Sequence, residues 1–240
     1  MAHQVSAIIP AHNEADIISD TVRAALSIPG VDQVIVVDDA STDGTGDAAR
    51  SAGAHKVLTL EHNLGKGGAL NEGWRHSEGD ILLLLDADLG ASASEASNLL
   101  NPVLDGSADM TIAVFGRVQP PESLESDEGT KLGAKSRGLG MVVRVARWGI
   151  KAMTGQRFET PLSGQRALKR EIIEKSGGFA SKFGVEVNLT IDALRMGYRV
   201  SEVPVAMVHR PSGRDIRGIL HRGRQFLDVL RVLCIKALRS

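Results

Sequence analysis

The chain has 240 residues, 42% hydrophobic and 24% charged, with a formal net charge of -1. That length suits one large α/β domain or two small ones, and the near-neutral balance argues against a nucleic-acid partner, which favours a basic domain. Aromatic residues, at 3%, offer little for stacking on single strands, and a lone cysteine, Cys234, excludes a disulfide framework and a zinc cluster.

No signal-peptide pattern precedes the first strand and no apolar run approaches a membrane span. A cytoplasmic protein is expected, with any membrane contact peripheral. Residues 5–10 read as a strand stopped by Pro10, followed by the polar loop Ala11-His12-Asn13-Glu14. Helical spacing of Ile17, Ile18, Val22, Ala25 and Leu26 predicts a helix over 16–28, ended by Pro29-Gly30. A second strand, 33–37, closes on Asp38-Asp39, and a short helix ends near Gly53. A third strand, 56–60, leads to the loop His62-Asn63-Leu64-Gly65-Lys66-Gly67-Gly68 and a helix over 69–76. Successive βα units imply a mostly parallel sheet flanked by helices, with its loops gathered on one edge.

The fourth strand is the run Ile81-Leu82-Leu83-Leu84-Leu85, apolar enough to be buried on both faces, and it stops at Asp86-Ala87-Asp88. Ligands of open α/β sheets sit beyond the carboxyl ends of the strands. If the chain stays extended there, Asp86 and Asp88 fall on one side and can act on the same cation. Asn13 and Glu14 can hydrogen-bond a base or ribose, as can Asp39, and Lys66 at a helix start can meet a phosphate beside backbone N–H groups. Each of these features alone is an ordinary turn or solvated side chain; their gathering on one edge points to a site. After the first strand stands Pro10-Ala11-His12-Asn13-Glu14 in place of Gly-x-Gly-x-x-Gly, and neither a P-loop nor a Gly-x-Ser-x-Gly elbow is present.

Beyond a strand over 110–115, the acidic stretch 119–135 reads as a mobile surface loop. It suggests a nucleotide-binding half (1–117), a linker loop (118–136) and an acceptor-binding half (137–240) of one continuous domain. A helix over 139–153 carries Arg144, Arg147 and Lys151 on a face read as solvated, and Arg137 before it is the candidate for an anionic acceptor. Thr160-Pro161-Leu162-Ser163-Gly164-Gln165-Arg166 and Phe183-Gly184-Val185-Glu186 follow, the latter opening a helix to Met196. A strand over 200–207 leads to His209, whose neutral imidazole can complete a metal shell. The basic, amphipathic segment 216–238 is read as a helix. Two placements are open for it: packing on its own body or in a homodimer, which is favoured, and peripheral contact with a membrane.

Together, Ile9-Pro10-Ala11-His12-Asn13-Glu14, Val37-Asp38-Asp39-Ala40-Ser41-Thr42-Asp43-Gly44-Thr45 and Asp86-Ala87-Asp88 resemble the nucleotide-binding half of family-2-type glycosyltransferases of the GT-A fold. The resemblance implies that Pro10, Ala11, Asn13, Glu14, Asp39, Lys66 and Asp86-Ala87-Asp88 surround a nucleoside-diphosphate sugar, with Mg²⁺ or Mn²⁺ on the pyrophosphate. Gly65-Lys66-Gly67, Pro161-Leu162-Ser163-Gly164, Phe183-Gly184-Val185-Glu186 and His209-Arg210 resemble the motifs of glucosyl-3-phosphoglycerate synthases. That similarity implies metal ligation by Asp88 and His209, supported by Asp86. It also sets Leu162, Ser163, Gly164 and Glu186 against the donor sugar and Arg137 on the acceptor phosphate, and it favours retention. Gly65-Lys66-Gly67-Gly68-Ala69 and Glu202-Val203-Pro204-Val205 are also similar to polyprenyl- and dolichyl-phosphate glucosyltransferases, which leaves a lipid phosphate open as acceptor, with Glu186 or Asp192 as base if the reaction inverts. A non-catalytic sugar-nucleotide binding module and a nucleotidyltransferase are the competing classes; the second lacks a Gly-rich activation loop after the first strand.

Overall fold

A computed structural model of the protein describes residues 3–116, 137–180 and 184–208. The chain alternates strand and helix through β1 (Val5–Ala11), α1 (Ile18–Leu26), β2 (Gln33–Asp38), α2 (Thr45–Ser51), β3 (Lys56–Thr59), α3 (Gly65–Arg75) and β4 (Ile81–Leu84). A 3₁₀ segment (Ala87–Ala96) then leads to α4 (Ser97–Leu104), β5 (Met110–Phe115), α5 (Arg137–Thr154), β6 (Arg166–Lys169), α6 (Arg170–Ser176), α7 (Val185–Arg195) and β7 (Val200–Val205). Seven strands among the described residues form one sheet in the order β3-β2-β1-β4-β6-β5-β7. The first four are parallel, as the repeated βα pattern predicts.

Strand alternation divides the apolar side chains between two layers. Ala7, Ile9, Ile81, Leu83 and Leu85 pack with Val22, Leu99 and Val103 on one face; Ile8, Leu82 and Leu84 pack with Leu70, Val142, Ile172 and Ile191 on the other. Helices on both faces explain why β1, β2 and β4 read as unbroken apolar runs.

β6 departs from the parallel pattern. It is antiparallel to both neighbours, with Arg166 opposite Leu84 of β4 and Ile112 of β5. Because it runs the other way, its first residues arise where β4 ends, which brings 163–165 beside Asp86. Two further expectations are corrected. α3 begins at Gly65 and not at residue 69, because Gly67 and Gly68 are packing positions inside the helix: a Cβ at Gly67 would collide with the Ala180 carbonyl. The chain also does not stay extended through Asp88; Asp86 is extended (φ -77°, ψ 149°) and the 3₁₀ segment starts at Ala87.

The loop at 118–136, His209 and the segment 216–238 lie outside the described residues. Among the described residues no helix is long and apolar enough to cross a membrane.

Candidate active site

The loops after β1 and β2 are sewn together. Asn13 accepts a hydrogen bond from the Thr42 N–H at 2.9 Å and donates its own N–H to Ser41 Oγ at 3.0 Å, while the Glu14 N–H donates to Thr45 Oγ1 at 2.8 Å. Asn13 (φ 57°) and Ala40 (φ 58°) are both left-handed without being glycine. For the alanine this conformation costs about 1–2 kcal/mol, and such strain collects where a loop is shaped for a ligand. Pro10 and Ala11 lie in register with Val37 and Asp38, so Pro10, Ala11, Asn13, Glu14 and Asp39 share one edge as expected.

The buried Asp39 carboxylate is 4% exposed and accepts from the Leu64 N–H at 2.7 Å and the Gly65 N–H at 2.8 Å. It therefore caps the start of α3, where a helix end favours negative charge. Of the N–H groups near Lys66, those of Leu64 and Gly65 are taken by the chain's own carboxylate. The Lys66 side chain is what α3 projects into the site.

Lys66 Nζ lies 2.7 Å from Asp86 Oδ1 and 3.3 Å from Glu186 Oε1, at the start of α7. Burial opposes its charge, but Asp86 and Glu186 outweigh that and hold the ammonium above the usual lysine range. Gln165 Nε2 donates to the other Asp86 oxygen at 2.5 Å. Gly164 completes the cluster: a Cβ there would collide with the Lys66 ammonium and lie 3.1 Å from Asp86 Oδ1. Lys66, Asp86, Gly164 and Glu186, drawn from four separate stretches of sequence, thus meet at the ends of β4 and β6. Leu162 and Ser163 stand half-buried in the turn leading to Gly164. Asp192, bonded to Asn188 at 3.0 Å, faces a different side of α7 from Glu186.

Asp88 sits in the first turn of the 3₁₀ segment, next to the buried Ala87. Thr21 Oγ1, from α1, donates to the Ala87 carbonyl at 2.7 Å and accepts from the Gly90 N–H at 2.8 Å, fixing the turn that carries Asp88. Val208 N–H donates to Ser92 Oγ in the same segment at 3.1 Å. Among the described residues no group of three or more His, Cys, Asp or Glu side chains gathers to hold a metal ion. A carboxylate such as that of Asp88 suits a hard divalent cation such as Mg²⁺ or Mn²⁺, whereas both oxygens of Asp86 already accept hydrogen bonds from Lys66 and Gln165; the third expected ligand, His209, lies outside the described residues. Arg137, the expected acceptor residue, is the first residue of α5.

Three contributors were not anticipated. Gln165 holds Asp86; the 1%-exposed Arg166 braces the 161–163 turn; and Glu202 of β7 accepts from the N–H groups of Glu159 and Thr160 at 2.8 and 2.7 Å. For Gln165 and Arg166 the one signal available is the stretch Ser163 to Arg166, polar side chains entering an apolar sheet; nothing comparable marks the role of Glu202.

The model of Glycosyl transferase family 2 matches residues 6–156. Glycosyltransferase AglJ of Haloferax volcanii is 30% identical over 230 residues, which is 95% of this chain and 71% of that protein. Glucosyl-3-phosphoglycerate synthase of Mycobacterium tuberculosis is 29% identical over 231 residues, 91% of this chain and 70% of that protein. The crystal structure of that synthase with Mn²⁺, UDP-glucose and phosphoglyceric acid superposes with a TM-score of 0.76 at 26% identity, covering 98% of this chain and 79% of that one.

Proposed function

Since the chain belongs to glycosyl transferase family 2 and is a glycosyltransferase of the GT-A fold, we propose that it moves a hexose from a nucleoside-diphosphate sugar of UDP-glucose or GDP-mannose type to a phosphorylated acceptor. The observation that carries this reading is the meeting of Lys66 with Asp86, Gly164 and Glu186 at the strand ends. The synthase related to this chain is solved with UDP and Mg²⁺, and with UDP-glucose, Mn²⁺ and phosphoglyceric acid, which supports both the donor class and a divalent metal.

Asp88 and His209, supported by Asp86, would hold Mg²⁺ or Mn²⁺, which when bound offsets the charge of the departing diphosphate as a Lewis acid. Lys66 adds a fixed positive charge to the same region. Pro10, Ala11, Asn13, Glu14 and Asp39 form the edge that receives the nucleoside. Leu162, Ser163 and Gly164 lie against the sugar, and Glu186 orients it. The acceptor phosphate is gripped by Arg137. The bond from the anomeric carbon to the diphosphate oxygen breaks, and one from the acceptor oxygen to that carbon forms. With retention, the acceptor proton passes to the leaving diphosphate. Similarity to the synthase favours that course over inversion with Glu186 as base.

The test is to incubate UDP-glucose and GDP-mannose with 3-phosphoglycerate or a polyprenyl phosphate, with and without Mg²⁺ or Mn²⁺, and to read the product anomer by NMR. Glycosylated 3-phosphoglycerate formed only with metal is expected. Transfer to the lipid phosphate alone moves the acceptor assignment, and no release of nucleoside diphosphate from either sugar nucleotide overturns the reading.

A further inference from the structure

Arg166 has no place in the chemistry above, yet a guanidinium only 1% exposed is a costly thing to bury. Burial pulls its pKa down to about 10, against the opposing charges of Glu186 and Glu202, so it remains a cation at neutral pH. Its donors are spread over two walls of the site. Nε donates to the Ser163 carbonyl at 2.9 Å and Nη2 to the Pro161 carbonyl at 3.2 Å, both in the turn that carries Gly164. Nη1 donates to Thr190 Oγ1 at 2.9 Å, and Thr190 in turn donates to the Glu186 carbonyl at 2.8 Å. One planar fork therefore ties the 161–164 turn to the helix that presents Glu186. At the other end of the turn, Glu202 accepts from the Glu159 and Thr160 N–H groups. A lysine has one nitrogen and cannot span these three acceptors; an apolar residue takes the guanidinium donors from the buried Pro161 carbonyl and the part-buried Ser163 carbonyl.

We propose that Arg166 is a positioning residue that sets the spacing between the 161–164 turn and Glu186, and through it the enzyme's selectivity for the transferred sugar. This rests on the reading that those two walls enclose the hexose. The nucleoside is received across β4, by the loops after β1 and β2, whereas the hydrogen bonds of Arg166 run to Pro161, Ser163 and Thr190. Weakening the brace should therefore harm recognition of the sugar and spare recognition of the nucleotide.

The experiment compares Arg166→Lys, Thr190→Val and Thr190→Ser with the wild-type protein in Mn²⁺, measuring UDP and UDP-glucose affinity by calorimetry and turnover of UDP-glucose against UDP-galactose. Thr190→Val removes the hydroxyl that accepts from Arg166 and donates to the Glu186 carbonyl, leaves the guanidinium's bonds to the 161–163 turn in place, and guards against a misfolded Arg166 variant. The expected result is a loss of roughly tenfold in UDP-glucose affinity and a narrowed preference between the two sugars in Arg166→Lys and Thr190→Val, with UDP affinity within about twofold of wild type and Thr190→Ser restored. Equal losses for UDP and UDP-glucose in Thr190→Val, or unchanged sugar preference in both variants, overturn the proposal. Failure of the wild-type protein to bind or turn over any sugar nucleotide overturns instead the functional reading on which it rests.

Discussion

Lys66 stands where the chemistry of this protein is concentrated, because it is the cation that draws two carboxylates from distant parts of the chain to one point. Lys66→Met would leave Asp86 and Glu186 facing each other without it, and the diphosphate without a fixed positive charge. The expected outcome is a fall in kcat of about 100-fold or more with little change in thermal stability, since the pair is partly exposed to solvent. Asp88→Ala and His209→Ala should each abolish turnover while leaving the far-UV circular dichroism unchanged; wild-type rates in either would remove the metal assignment. Asp86 was legible in the sequence because it ends a plainly apolar strand and Glu186 because it opens a readable helix, whereas Lys66 stood out as a lone cation in a glycine-rich stretch that read as loop. Gln165 and Arg166 were not legible, since no local pattern reveals that a polar pair is being carried into the sheet to serve a carboxylate and a turn built elsewhere.

Among the elements, those with a plain apolar pattern were readable: β1, β2, β4 and β5 as apolar strands and α1 by its helical stripe; β7 was also read as a strand. Two were obscured by composition. Three glycines near its start made the first turns of α3 read as loop, because intrinsic propensity disfavours glycine in helices, and tertiary packing overrode it. Gly67→Ala should therefore destabilise the protein despite alanine's better propensity, by about 2 kcal/mol, read as a lowered Tm, since the added methyl meets the Ala180 carbonyl. The charged ends of Arg166-Ala167-Leu168-Lys169 similarly hid β6, whose neighbours are supplied by β4 and β5 and by nothing in its own sequence. Leu83, fully buried in β4, is the contrasting case: Leu83→Ala should cost about 2–5 kcal/mol in chemical denaturation.

Across the whole molecule, β5, β6 and β7 are fastened to one another by a carboxylate at the end of the sheet away from the site. Asp109, just before β5, binds Lys169 at the end of β6 at 2.7 Å and Arg199, just before β7, at 3.1 Å, and also accepts the Arg199 N–H. Burial opposes its ionisation, but the hydrogen bonds from Arg199 and Lys169 outweigh that and hold the carboxyl well below the usual carboxylate range. A depressed folded-state pKa contributes stability that is complete above the ordinary aspartate value, near 3.9, and is lost as pH falls through the lower folded value. Asp109→Asn should thus lower the denaturation midpoint at pH 7 and flatten the acid limb of the stability profile below about pH 4. An unchanged acid limb would show that other carboxylates govern it.

The reversed strand in the middle of the sheet also constrains how this enzyme can be divided. A gene ended after Gly116 would encode every residue of the nucleoside-receiving edge, yet the polypeptide would lack the partner that covers one side of Ile81–Leu84. The bare amide groups of that greasy ribbon would seek the same ribbon in another copy, and such a fragment should precipitate and not behave as a free-standing nucleotide module.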